Sequence, residues 1–230
     1  MTDFAERLGS VMNRISQVAA DPTRIDEYER RHGETARSSQ MAKARRMRRR
    51  DILDRESVPL TEAGMTSVVN ELQPHPQACA LILRWAANAN APRMLAFVGD
   101  RGQGKTVGAA WWTADVDGRY VKLRELVRLH RAQWGDDHER WRSYMGAKHL
   151  VVDEVGSEKA EERQAAQAAI ADLVDDRLRV GLRTLFLGNI TAEQWDARMD
   201  ARTADRWLEV GYTLELAKGR SMRQRAEAQR

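Results

Sequence analysis

The residues Gly99-Asp100-Arg101-Gly102-Gln103-Gly104-Lys105-Thr106 constrain this chain more than any other segment. They follow the pattern G-x-x-x-x-G-K-[ST], the signature of a phosphate-cradling loop. Its glycines let the backbone turn tightly and aim N–H groups at phosphate oxygens. Lys105 is expected to reach the β- and γ-phosphates as a point charge, and the Thr106 hydroxyl to hold Mg²⁺. The flanks agree. Met94-Leu95-Ala96-Phe97-Val98 is an apolar run suited to a buried parallel strand. Val107-Gly108-Ala109-Ala110-Trp111-Trp112 continues as a buried helix, with Val107 directly behind the cradle. Strand, loop and helix in that order set the phosphates on a helix N-terminus.

Composition leaves room for a full α/β domain and a smaller appendage. The chain has 230 residues and 42% hydrophobic residues, enough for a sizeable core. No apolar run approaches the roughly 20 residues that span a bilayer. The start, Met1-Thr2-Asp3-Phe4-Ala5-Glu6, lacks the basic region of a secretory signal. The single cysteine, Cys79, excludes an internal disulfide and a multi-cysteine zinc site. These features lead us to expect a cytoplasmic protein without membrane contact. The net charge of +4 is modest, so the clustering of basic residues carries more information than their sum.

Residues 3–20 read as an amphipathic helix, because Phe4, Leu8, Val11, Ile15 and Val18 form one apolar stripe. That stripe suits either packing within the chain or docking of a partner protein. Residues 21–40 are polar and loosely patterned. The stretch 41–50 holds six cations in ten residues and favours helix. It fits a solvated face or a contact with nucleic acid or a partner. Pro59, Gly64, Pro74 and Pro76 mark a linker over 59–76. The expected organisation is therefore a helical region over 1–58, the linker, and a nucleotide-binding domain over 77–230. Within that domain, strands at 118–123, 149–154, 184–189 and 210–216 alternate with helices. The class is α/β with a mostly parallel sheet.

The strand 149–154 ends in Asp153-Glu154. Beside a phosphate loop, an acid at such a strand end holds Mg²⁺, which gives Asp153 that role. Glu154 then suits the general base that activates the attacking water. Asn189 ends the next strand and is suited to touch the γ-phosphate or that water, or to cap the helix starting near Thr191. Arg202, Arg206, Arg220 and Arg223 follow, and an arginine offered across a subunit interface stabilises charge on a transferring phosphoryl group.

The ordered set of motifs resembles the AAA+ ATPases of the bacterial and phage replicative helicase loader family, the DnaC/IstB-like group. The resemblance runs from Gln77 to Arg223. It is carried by Leu83-Arg84-Trp85-Ala86, the loop 99–106, Val152-Asp153-Glu154-Val155-Gly156, Leu187-Gly188-Asn189-Ile190, Arg202-Thr203-Ala204-Asp205-Arg206 and Ser221-Met222-Arg223. It implies an αβα P-loop core with little or no lid domain, ATP and Mg²⁺ as cofactors, and ATP hydrolysis. It implies Asn189 as the sensor-1 residue, Arg206 as an arginine finger acting on a neighbouring subunit in a homo-oligomer, and Arg223 as the sensor-2 residue. The family also implies a replicative DNA helicase as the partner of the N-terminal region. The related IstB-type alternative is a transposition ATPase that binds duplex DNA and a transposase.

Residues 119–144 interleave cations with Tyr120, Trp134, Trp141 and Tyr144. Cations that track a backbone and aromatics that stack bases suit single-stranded DNA. The alternative is that these aromatics belong to the core.

Overall fold

The computed structural model describes residues 22–71, 77–132 and 134–216. They fall into two units, divided between Met47 and Arg48. The first is helical. Helix α1 (Pro22–Arg55) has proline in its first turn, where the missing N–H costs nothing. The loosely patterned stretch 21–40 is thus helical from Pro22 on, continuous with the basic run. The amphipathic stretch 3–20 lies outside the described residues.

In the second unit, α2 (Glu62–Val69), α3 (Gln77–Ala87), β1 (Met94–Gly99), α4 (Lys105–Val116) and β2 (Arg119–Lys122) come first. They are followed by α5 (Leu123–His130), α6 (Gly135–Met145), β3 (His149–Val155), α7 (Arg163–Val180) and β4 (Arg183–Gly188). The short helix α8 (Ala192–Asp196), α9 (Ala201–Val210) and β5 (Gly211–Leu216) complete it. The strands form one parallel sheet in the order β2-β3-β4-β1-β5. All five therefore end at the same side, where the phosphate loop also lies.

Both faces of the sheet are covered, as a parallel sheet requires. Leu95, Phe97, Val151, Leu185 and Leu187 face α3 and α4. Met94, Ala96, Val98, Val152 and Phe186 face α5, α6 and α7. Gly108 lets α4 approach α3 closely, since a Cβ there would meet the Cys79 Cα at 2.7 Å. Burial pushes the Cys79 thiol up to about 12.

The segment 59–76 is partly helical where it is described. Thr61 caps α2 through its side chain, Val68 is fully buried, and Val58 and Val68 belong to the core over α4. A Pro- and Gly-containing stretch can pack as well as connect, and here the apolar residues decide. The basic run is likewise divided. Arg49 is buried, donates to the Val68 carbonyl at 2.9 Å, pairs with Asp115 and lies 4.5 Å over the Trp111 ring. Arg48 pairs with Asp117, and Arg50 with Asp54.

Arg177 on α7 is fully buried, with no carboxylate partner among the described residues. Its guanidinium donates to the Thr184 hydroxyl and to the carbonyls of Tyr144, Met145, Ala147 and Arg183, at 2.7–3.0 Å. Desolvation brings its pKa down to about 10. The hydrogen bonds to carbonyl oxygens offset that cost and tie the end of α6 to the start of β4.

Candidate functional site

The loop 99–106 emerges from β1 in a conformation only glycine tolerates well. Gly99, Gly102 and Gly104 have φ of 128°, 78° and 83°. Lys105 opens α4 and is 6% exposed. Its Nζ donates to the carbonyls of Gly99 and Asp100, both at 2.8 Å, and to Asn189 Oδ1 at 3.1 Å. The ammonium is thus folded over the loop that would receive phosphate. Burial pulls its pKa down to about 8, against the opposing pull of Asp153 and Asp100.

Asp153 and Glu154 owe their placement to an irregularity in β3. Val152 pairs with Phe186 and Val155 with Gly188, so three steps along β3 match two along β4. The extra residue makes a β-bulge, a device that re-aims side chains near reactive centres. Glu154 takes φ 61° there, and both acids lie at the ligand end of the sheet. The Thr106 hydroxyl donates to Asp153 Oδ2 at 3.0 Å. A threonine hydroxyl and one carboxylate beside a phosphate cradle fit Mg²⁺, which takes few protein ligands and completes its shell with phosphate and water. Among the described residues, no group of three or more His, Cys, Asp or Glu offers a separate all-protein site.

Asp153 is almost completely enclosed. Its Oδ2 also accepts from the Tyr120 hydroxyl at 2.5 Å, and its Oδ1 from the Glu154 N–H at 2.6 Å. Burial raises its pKa, and these three hydrogen bonds oppose the rise. Burial and the Asp153 charge push the Tyr120 hydroxyl far above its ordinary range, so it stays a donor. Glu154 pairs with Lys122 across the strand ends, Nζ to Oε1 at 2.7 Å.

Asn189 follows β4 and meets Lys105, which joins that strand end to the phosphate loop, as Thr106 joins Asp153 to it. It does not cap α8. Thr191 does, accepting from the Gln194 N–H while Gln194 returns a bond to the Thr191 N–H. Two clefts of about 430 and 490 Å³ meet at Asn189, and the larger reaches Gly99 and Asp100. Beneath, Phe186 packs on Trp195 and Trp207 with ring centroids 4.9 and 5.8 Å away, holding α8 and α9 to β4.

Arg206 lies on α9 and is paired within its own chain to Asp175 of α7, which Arg202 also approaches at 3.4 Å. Arg220 and Arg223 lie outside the described residues.

The expected stacking surface over 119–144 is largely absent. Tyr120, Trp141 and Tyr144 are buried core residues, and only Trp134 is exposed. Arg119 pairs with Glu56, Lys122 with Glu154, Arg128 with Glu125 and Asp137, and Arg140 with Glu125. Helical spacing turns Trp141 and Tyr144 inward, strand alternation does the same for Tyr120, and local acids neutralise much of the charge.

Sequence reading missed the pairing of Lys122 with Glu154 and the bond between Tyr120 and Asp153. The signal was available in β2, where Tyr120 and Lys122 share one face next to the acidic strand end. It also missed Glu158, whose carboxylate accepts from the Gly156 N–H at 2.7 Å and from Arg198 Nε at 2.8 Å. That pair fixes the loop after the bulge, where a Cβ on Gly156 would meet Ile190 Cγ2 at 2.2 Å.

The same architecture occurs in solved structures of replication proteins. The DnaC helicase loader is 19% identical, with a TM-score of 0.52 over 68% of this chain and 100% of that one. AMPPCP-bound DnaA from Aquifex aeolicus is 17% identical, with a TM-score of 0.51 over 70% of this chain and 53% of that one. Domain III of DnaA from Thermotoga maritima is 16% identical, with a TM-score of 0.51 over 74% of each chain. No protein-family model and no curated protein sequence matches the chain. The fold is the α/β P-loop fold that these DnaC and DnaA structures share. Among the described residues, no helix is long and apolar enough to cross a membrane.

Proposed function

We propose that this chain is an ATPase of replication initiation that assists placement of a replicative DNA helicase on single-stranded DNA. The observation that carries the reading is the convergence of Lys105, Thr106, Asp153, Glu154 and Asn189 at one end of an AAA+ sheet. The backbone N–H groups of 99–106, Lys105 and the N-terminus of α4 bind and orient the phosphates. Thr106 and Asp153 would hold Mg²⁺, which would supply charge neutralisation on the phosphoryl oxygens. Glu154 accepts the proton of the attacking water, and Asn189 orients the γ-phosphate or that water. Arg206 of a neighbouring subunit completes the site, so ATP favours self-association and hydrolysis favours release. Arg223 contacts nucleotide within its own chain. Residues 1–58 carry the helicase contact, and the protein works in the cytoplasm.

The test combines turnover with partner capture. The chain should release phosphate from ATP, and Lys105→Ala should abolish nucleotide binding. With a slowly hydrolysed ATP analogue it should retain the replicative helicase of its native host, and deletion of residues 1–58 should abolish retention. Recovery of a transposase instead of the helicase overturns the loading role and leaves the ATPase site intact.

A further inference from the structure

Tyr120 makes two bonds that no role assigned so far uses. Its hydroxyl donates to Asp153 Oδ2 at 2.5 Å, the oxygen that also accepts from Thr106. Its backbone N–H donates to Glu56 Oε2 at 3.0 Å. Among the described residues, strand β2 is an edge of the sheet, paired on one side with β3, so that N–H has no strand neighbour there. Glu56 takes the neighbour's place. Its side chain is 3% exposed and is itself fixed, since Oε2 also accepts from Arg119 Nε at 3.0 Å and Oε1 from Arg55 Nε at 2.9 Å. Tyr120 is 3% exposed and cannot reach a ligand in the cleft.

We propose that Tyr120 is a positioning residue for the Mg²⁺-binding carboxylate of Asp153, and that Glu56 acts through it. The proposal rests on the reading of Thr106 and Asp153 as the metal site. A carboxylate near a metal can rotate between ligating and non-ligating orientations. The Tyr120 hydroxyl on Oδ2 and the Glu154 N–H on Oδ1 restrict that rotation from both sides. Partners behind a metal ligand fix its orientation, and their loss commonly weakens metal binding about 10–100-fold. Glu56 contributes by fixing the strand from which the tyrosine projects. The residue that follows helix α1 is thereby connected to the metal carboxylate through Tyr120.

The experiment measures metal affinity apart from turnover. Full-length wild type, Tyr120→Phe, Glu56→Ala and the double variant are first titrated with a fluorescent ATP in EDTA. Equal affinities establish that the cradle is folded in each. Mn²⁺ is then titrated into each protein–nucleotide complex and free Mn²⁺ is followed by electron paramagnetic resonance. Tyr120→Phe, which keeps the ring and removes only the hydroxyl, is expected to weaken Mn²⁺ binding about tenfold. Glu56→Ala should weaken it less, and should add nothing in the Tyr120→Phe background. Unchanged Mn²⁺ affinity in Tyr120→Phe overturns the proposal while leaving the ATPase reading standing. Additive effects of the two substitutions overturn the role of Glu56. A wild-type chain that binds no nucleotide overturns the metal-site reading, and the proposal with it.

Discussion

Lys122 Nζ lies 2.7 Å from Glu154 Oε1, so the candidate general base is held by a cation from the neighbouring strand end. Both side chains are roughly two-fifths exposed, and such a pair contributes less than about 1 kcal/mol. It can therefore exchange with water or substrate at little cost. While it lasts, the ammonium turns the carboxylate from an attacking water. Lys122→Met should raise single-turnover phosphate release a few-fold with nucleotide affinity unchanged. Glu154→Gln should bind ATP and reduce release by at least about 100-fold. A slower Lys122→Met enzyme would mean that the lysine holds Glu154 in its working position.

Lys105 gives a pH dependence to nucleotide binding. Burial lowers its pKa to about 8, so the ammonium loses its proton well below the pH at which an exposed lysine does. Phosphate oxygens favour the charged form and raise the pKa again. Binding near pH 8 should take up protons, and affinity should fall as pH rises above about 8, by up to about tenfold per unit. Below about pH 7 the lysine is charged in both states and the uptake disappears. Calorimetry in two buffers of different ionisation enthalpy measures the uptake directly. The same shift affects stability with a defined sign. The unfolded chain holds this proton up to about pH 10.5 and the folded chain only up to about 8, so Lys105 makes folding more favourable as pH rises through that window.

Trp134 is the single exposed aromatic of the 119–144 segment, at 80%. If single-stranded DNA runs over this surface, the contact depends on it. Trp134→Ala should weaken binding of a fluorescent oligonucleotide about 5–150-fold, the range for one stacked base. Trp141→Ala should instead lower thermal stability, because that ring is in the core.

Gly108→Ala should destabilise the protein although alanine is the better helix former. The propensity gain is about 1 kcal/mol. The added Cβ would stand 2.7 Å from the Cys79 Cα, a backbone atom that cannot rotate away. Overpacking of this kind costs about 1–3 kcal/mol, and α3 and α4 must separate to relieve it. A lower midpoint in urea with an unchanged slope is the expected observation.

Arg206 pairs with Asp175 in its own chain, so the arginine must leave Asp175 to act on a neighbour's phosphate. Arg206→Ala should retain ATP binding and lose turnover. Mixing it with Lys105→Ala should restore part of the turnover, since the intact loop of one subunit then meets the intact arginine of the next. No recovery on mixing would place the role of Arg206 within its own subunit.

Much of the site was legible because its chemistry depends on local patterns. A glycine-rich loop between an apolar run and a buried helix, and two acids closing another apolar run, announce themselves within about ten residues each. The contacts that join them did not. Tyr120 reads as a surface aromatic in a basic stretch until β2 is paired with β3 and its face is known. The bulge at Glu154 depends on register with β4, which no single segment encodes. The segment 59–76 illustrates the same limit, since its prolines are visible in the sequence while the burial of Val68 depends on α4.

The buried guanidinium of Arg177 has a consequence for how this domain comes apart. Its acceptors belong to the end of α6, the residues just after it and the first residues of β4. If any one of these segments frays, a charge is left in the interior without the oxygens that solvate it. The excursion α5–α6 and the central strand are therefore bound to a common fate. Hydrogen exchange at the C-terminal turn of α6 should proceed with the same opening free energy as in β4, with no separate early melting of the excursion.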